Sequence, residues 1–446
     1  MNLTHGTVWK TLLTFSLPFM LSTLLQTLYS TTDTIVVGQY LGSAGLSAVS
    51  NGSMLMNMAY MICIGFSTAG QVLISQARGA GNHEKVQQII GTLCVLQVSL
   101  SLALGIACLV LQEHLLTLLS TPPEAREQAG YYILICSYGI IFTGLYNMFS
   151  AVLRGIGDSK HPLIFVVIAS VINIILDIVF IAVFDWNVAG AALATVIGQF
   201  VSVLFCIHFL YHHSDELQFR FKLKDLIPHK GPAIQIIKIG IPLAIQSAAV
   251  QFSFLFVNSM VNSLGITISA AFGVAQKLRN IPGILTQGLG LGASSMIGQN
   301  FGSHKHDRVD STVKWCLMFS SVINIVFGIL FWFAPVFCFR LFTPDETVLA
   351  YSTICILALV IELPAKCAMP ACNALVSAQG FVKFSIIIAF LDAFAGRVFF
   401  CWLLGIAFEM GALGFFLGYS AGTYLTAIPV FIYYISGLWR RRKTLA

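Results

Sequence analysis

Two carboxylates, Asp33 and Asp177, stand inside long apolar runs, with no basic residue within a turn or two of either. An acid in such a run is costly to hold and marks a functional site by default. Each has polar company at helical spacing. Gln26 lies seven residues before Asp33, two turns along one face, and Asn173 lies four before Asp177. Thr195 adds a hydroxyl inside a further apolar run. If these faces meet, they assemble two carboxylates among amide and hydroxyl groups with no counter-cation. Burial and mutual repulsion penalise the charged form of a carboxylate, which is the chemistry of proton uptake and release. The same oxygen-rich set suits a hard cation such as Na+. The structural alternative, in which each acid only hydrogen-bonds a neighbour on its own helix, is the weaker reading for two unpaired acids.

The second half of the chain carries its own charges in apolar surroundings. Glu362 and Lys366 are four residues apart, Asp392 and Arg397 five apart, and Lys277 and Arg279 stand near a helix start. Opposite charges four apart share a helix face, and charges this near in sequence are expected to neutralise one another. Structural pairing and a role in holding substrate are therefore both open for Glu362, Lys366, Asp392 and Arg397.

The elements that must position these groups follow from composition. Of 446 residues, 57% are hydrophobic and 9% charged, against about 25% charged in a soluble domain. The mean hydropathy is +0.86. The apolar runs are long and continuous rather than alternating, so they read as membrane-spanning helices, each needing about 20 apolar residues. Twelve are expected, at 12–37, 46–73, 87–111, 130–152, 161–184, 188–210, 233–261, 268–295, 312–334, 349–374, 381–405 and 411–437. Alternate loops hold Lys10; Arg78 and Lys85; Arg154 and Lys160; Arg220, Lys222, Lys224, Lys230 and Lys238; Lys305, Arg308 and Lys314; Lys383; and Arg440, Arg441, Arg442 and Lys443, which is 18 of the 24 basic residues. The opposite loops hold only Arg126 and Arg340. That asymmetry places both termini in the cytoplasm, in a multi-pass inner-membrane protein whose first helix is kept as a span.

The chain also repeats itself. A shift of 223 residues aligns LGSAGLSA (41–48) with LGITISAA (264–271), and GFSTAGQVLISQARGAGNHEKV (65–86) with GLGLGASSMIGQNFGSHKHDRV (288–309). Pro18 and Pro242, opening the first helix of each half, match at 224. Six helices separate the copies, so both insert the same way. The expected fold is all-α and integral to the membrane: an N-lobe over 1–210, a basic cytoplasmic linker over 211–232, and a C-lobe over 233–446.

Several chemistries find no support. There is no G-x-x-x-x-G-K-[ST] loop for ATP, and HEK at 83–85 is not H-E-x-x-H. The eleven cysteines fall almost entirely within apolar spans and form no C-x-x-C pair, so they read as small buried hydrophobes. The net charge of +6 is spent on topology rather than on a nucleic-acid face. No cofactor and no nucleic-acid partner is expected.

LPFMLSTLLQTLYSTTDTIVVGQYLG (17–42), LRGIGDSKHP (153–162), INIILD (172–177) and GAALAT (190–195) resemble the multidrug and toxic compound extrusion family, and the resemblance covers essentially the whole chain. It implies twelve helices in two bundles around a central cleft, exchanging an organic compound for protons or sodium ions by alternating access. The N-lobe is similar to the branch typified by the DNA-damage-inducible F proteins. That likeness implies a cation site at Gln26, Asp33, Asn173, Asp177 and Thr195, with any Na+ held by Asp33, Asn173, Asp177 and Thr195, and a helix bend at Pro18. Another branch carries acids in the seventh and tenth helices, and here the chain departs from it. Residues 233–261 contain no acid, and Glu362 has Lys366 one turn away. The substrate implied is a small amphipathic organic cation, the partner otherwise membrane lipid, and the protein a monomer. The rival reading is a flippase for a lipid-linked oligosaccharide or cell-wall precursor. It needs a cationic cleft for pyrophosphate, for which Lys277, Arg279, Lys366 and Arg397 are the candidates.

Overall fold

The computed structural model describes residues 1–118, 121–213 and 226–445. Most of the basic linker, residues 214–225, lies outside the described residues. The chain is built of long helices: α1 (Val8–Gly42), α2 (Ala44–Gly79), α3 (His83–Thr117), α4 (Pro123–Ile156), α5 (Lys160–Val183), α6 (Asn187–His212), α7 (Lys230–Asn262), α8 (Ile266–Gly302), α9 (His306–Phe333), α10 (Ser352–Ala378), α11 (Val382–Ala407) and α12 (Gly411–Ile435). Eleven of these are both long and apolar enough to cross a bilayer. The twelfth, α8, has the length, at 37 residues, but spends it on glycines, glutamines, Lys277 and Arg279.

Sequence and structure differ between α1 and α2. The sequence predicts a loop over 38–45, whereas helical dihedrals run through to a single break at Gly42 (φ 65°, ψ −160°). That backbone conformation is essentially confined to glycine. Its repeat partner Gly265, at the entrance to α8, has φ 105° and ψ 166°, the same region. The two halves therefore turn their first helical hairpin on the same special residue.

Packing divides the chain into two compact units. One comprises Leu21–Ala244, the other Asn2–Met20 with Ile245–Leu445. The start of α1 thus packs in the second unit: Leu12, Phe15 and Phe19 join Leu289, Ile297, Leu375 and Trp439 in one buried cluster. In the first unit Val37 of α1, Leu55 of α2, Ile133 and Ile140 of α4, Ile181 of α5 and Ala192 of α6 form the core. Outer faces carry exposed aliphatics such as Ile106, Val110, Ile175, Val322 and Ile329. Apolar surface on this scale needs a lipid surround.

Candidate functional site: paired acids in the first unit

Three helices of the first unit bring the predicted polar residues together. Gln26, Tyr29, Ser30 and Asp33 form a stripe along α1. On α5 the stripe is Val166, Ala169, Ser170, Asn173 and Asp177, and on α6 it is Thr195, Gly198 and Gln199. All follow the three- and four-residue spacing of a single helix face. Asp177 is fully buried, Asn173 is 4% exposed and Asp33 is half-buried.

The carboxyls of Asp33 and Asp177 lie close enough to interact with one another, with Tyr29 near both. No donor satisfies either oxygen of Asp177 or Oδ1 of Asp33. Both polar atoms of the Asn173 amide, the Ser170 hydroxyl and the Gln199 carbonyl are likewise buried without a hydrogen-bond partner. Among the described residues no ion pair involves either acid. Buried polar groups almost always find partners, so this many orphans in one place calls for an explanation. Adjoining carboxylates repel unless a proton or a cation stands between them. A single proton on one acid would make it a donor to the other, and a Na+ ion would have oxygen ligands to draw on in Asp33, Asp177, Asn173 and Thr195. The residues present fit either ion.

Two cavities adjoin the acids. A small pocket of about 30 Å³, room enough for a water molecule, is lined by Gln26, Tyr29, Tyr146, Ser170, Asn173, Thr195 and Gln199. A larger one of about 350 Å³ reaches Asp33 and is walled by Tyr29, Tyr60, Tyr132 and Tyr146, with Asn57, Thr143 and Asn147. Gln26, Tyr29, Tyr146, Thr195 and Gln199 line both. Sequence reasoning singled out the five site residues but missed Tyr29 and Gln199. Both were within its reach, since Tyr29 is four residues before Asp33 and Gln199 four after Thr195.

Pro18 does not join this group. It lies within α1, in the stretch that packs in the second unit. The C-terminal charges form a separate cluster there. Glu362 accepts from Arg279 Nε at 2.7 Å and Thr423 Oγ1 at 2.9 Å, with Lys366 Nζ 3.3 Å away. Arg397 pairs with Asp392 at 2.9 Å.

The model of the MatE family matches residues 18–179 and again residues 242–403. The chain belongs to the MatE family. The two matches account for most of its length and start 224 residues apart, at 18 and 242, so the internal repeat is the family's own. MatE proteins are multi-pass membrane transporters, not enzymes, and need no cofactor in general. Among curated relatives, the probable multidrug resistance protein YpnP of Bacillus subtilis is 28% identical over 99% of this chain and 98% of its own. The multidrug export protein MepA of Staphylococcus aureus is 28% identical over 78% of this chain and 76% of its own. A solved MATE in the straight conformation superposes with a TM-score of 0.91 at 22% identity, covering 97% of both chains. This MatE chain thus has the twelve-helix, two-lobed fold.

Proposed function

We propose that this protein is a secondary active multidrug exporter of the inner membrane, driven by protons or sodium ions that bind at Asp33 and Asp177. The observation that carries the reading is the pair of adjoining buried acids with orphaned oxygens and no basic partner, beside a tyrosine-lined cavity. With no ion bound, the pair presents negative charge to that cavity and holds a cationic amphiphile against its aromatic walls. An ion arriving from outside neutralises the acids, removes that attraction, and favours release of the substrate outward. Gln26, Asn173 and Thr195 tune the site by offering oxygens to the cation or hydrogen bonds to the protonated acid. Pro18 gives α1 a weak point about two turns before Gln26, since its missing N–H and ring interrupt the helical ladder. Alternating access of two repeated lobes then completes the cycle, in a monomer with both termini in the cytoplasm.

The names of the curated relatives support export of drugs. The charge balance of the C-terminal cluster argues against a lipid pyrophosphate. Arg279, Lys366 and Arg397 exceed Glu362 and Asp392 by one charge only, short of what a diphosphate carries, and the fourth candidate, Lys277, lies instead over the Phe342 ring.

The test is efflux of a fluorescent organic cation from proteoliposomes under an imposed proton or sodium gradient. Wild type should concentrate the dye against its gradient, and the effective ion names the coupling. Asp33→Asn and Asp177→Asn should each lower gradient-driven efflux by about a hundredfold or more. Variants that match wild type would remove the acids from the coupling step.

A further inference from the structure

The repeat makes a comparison possible that neither half offers alone. At the family offset of 224 residues, Asn173 corresponds to Arg397 and Asp177 to Cys401. Packing extends the correspondence beyond the matched range. A Cβ on Gly198 would lie 3.4 Å from the Cβ of Asn173, and one on Gly422 would lie 2.7 Å from the backbone nitrogen of Arg397. Likewise Gly190 abuts Phe180, and Gly414 abuts Leu404. Thr195 therefore corresponds to Tyr419 and Gln199 to Thr423, and Asp33, lying between the offset of 224 at Pro18 and that of 223 at Gly42, falls opposite the apolar pair Phe256 and Val257. At the matched positions the first half holds two acids and an amide, and the second holds apolar residues, Cys401 and Arg397, with its acids Glu362 and Asp392 standing elsewhere and paired.

Around that arginine lies a built cluster. Arg279 stacks 4.3 Å and Arg397 5.1 Å from the ring centroid of Tyr419. Arg279 also meets Gln276 and binds Glu362, which Lys366 and Thr423 share. Arg397 reaches Asp392 because residues Leu391–Val398 form π-helical turns. In an α-helix, residues five apart point about 140° away from each other. A π turn brings them to one side, and such turns concentrate at functional sites. A buried donor remains unspent, since Arg397 Nε has no partner, and neither has one acceptor, Asp392 Oδ1. Lys366, 32% exposed at its side chain, has a single contact for three N–H donors.

We infer that this cluster is an anion subsite, which takes a monoanionic oxygen group, the carboxylate of a zwitterionic amphiphile, with Lys366 as its first contact. One surplus positive charge matches one negative charge. The inference rests on the export reading for its substrate, though the binding chemistry stands apart from transport.

The test uses a matched dye pair, rhodamine 110, a zwitterion with a free carboxylate, and its methyl ester rhodamine 123, a cation. Binding to the full-length protein in detergent is read by fluorescence anisotropy, and uptake in proteoliposomes. Wild type should bind the acid about tenfold tighter than the ester. Lys366→Gln should abolish that preference and Lys366→Arg keep it. Equal binding of the two dyes by wild type, or a Lys366→Gln variant that weakens both alike, overturns the subsite. Adding phosphatidylglycerol separates a lipid phosphodiester from a substrate carboxylate. An acid preference that persists in its presence supports the carboxylate, and one that the lipid erases reassigns the subsite to lipid and overturns the substrate. Acid preference without gradient-driven uptake of either dye would sink the export reading alone. Uptake without preference would sink the subsite alone.

Discussion

Asn173 is an amide buried to 4% exposure with both of its polar atoms unpaired. A buried polar group left unsatisfied costs about 1–3 kcal/mol, so nothing in the resting packing favours asparagine over leucine here. Function explains its presence if the amide is completed by the coupling ion or by a protonated acid. Asn173→Leu, which replaces the amide with an apolar group of similar size, should therefore hold or raise thermal stability, by up to about 3 kcal/mol. It should at the same time reduce gradient-driven efflux at least tenfold. Thermal melts in detergent alongside proteoliposome efflux check this, and a variant that loses both together would make Asn173 a structural residue. Legibility at this scale followed spacing. Asp33 with Gln26 and Asp177 with Asn173 lie on single helix faces, so the sequence exposes them directly. The partnership of Arg279 with Glu362 spans 83 positions and two helices, and no local pattern announces it.

At the scale of elements, the helices were readable because lipid demands long apolar runs, but their joints were not. The stretch GQYLGSAG between α1 and α2 is polar enough to suggest a loop, yet one glycine at φ 65° makes the turn. A side chain in that conformation is strained by about 1–3 kcal/mol. Nothing lies within 4 Å of a Cβ placed on Gly42 or on Gly265, so the strain acts without any clash. Gly42→Ala and Gly265→Ala should each lower stability by about that amount, and to a similar degree, in a thermal or chemical melt. A neutral outcome at both would mean the break is set by packing rather than by the residue. The π-helical turns at Ile178–Val183 and Leu391–Val398 were equally hidden, since no residue type signals a shift from four- to five-residue hydrogen bonding. The sequence noted Asp392 and Arg397 as five apart, and only the wider turn makes them a 2.9 Å pair.

For the whole molecule, the alternation of basic and basic-poor loops is the argument for orientation. With 18 of 24 Lys and Arg on one set of loops, a C-terminal fluorescent-protein fusion should be bright. An alkaline phosphatase fusion at the same point should be inactive. Fusions to the loop between α3 and α4 should give the opposite pair of results. The reverse pattern would invert the direction of transport inferred above as well as the topology. The twofold repeat was visible from matched segments alone, and the family match returns it at nearly the same offset. What the shift could not show is which segment packs where, because residues 2–20 join the second unit through contacts hundreds of positions away in sequence.

The correspondence of Asn173 with Arg397, and of Asp177 with Cys401, has a consequence for how such a protein can change over generations. Two identical subunits made from one gene must carry every substitution twice, so a new arginine in one pocket appears in both. Once the two copies are joined in a single reading frame, each pocket mutates by itself. One half can keep its acids while the other reverses its sign, and the ancestral shape survives in the backbone turns at Gly42 and Gly265. On the proposed reading, the chemistry of the cargo is then free to drift through one half of the gene without disturbing the ion site of the other.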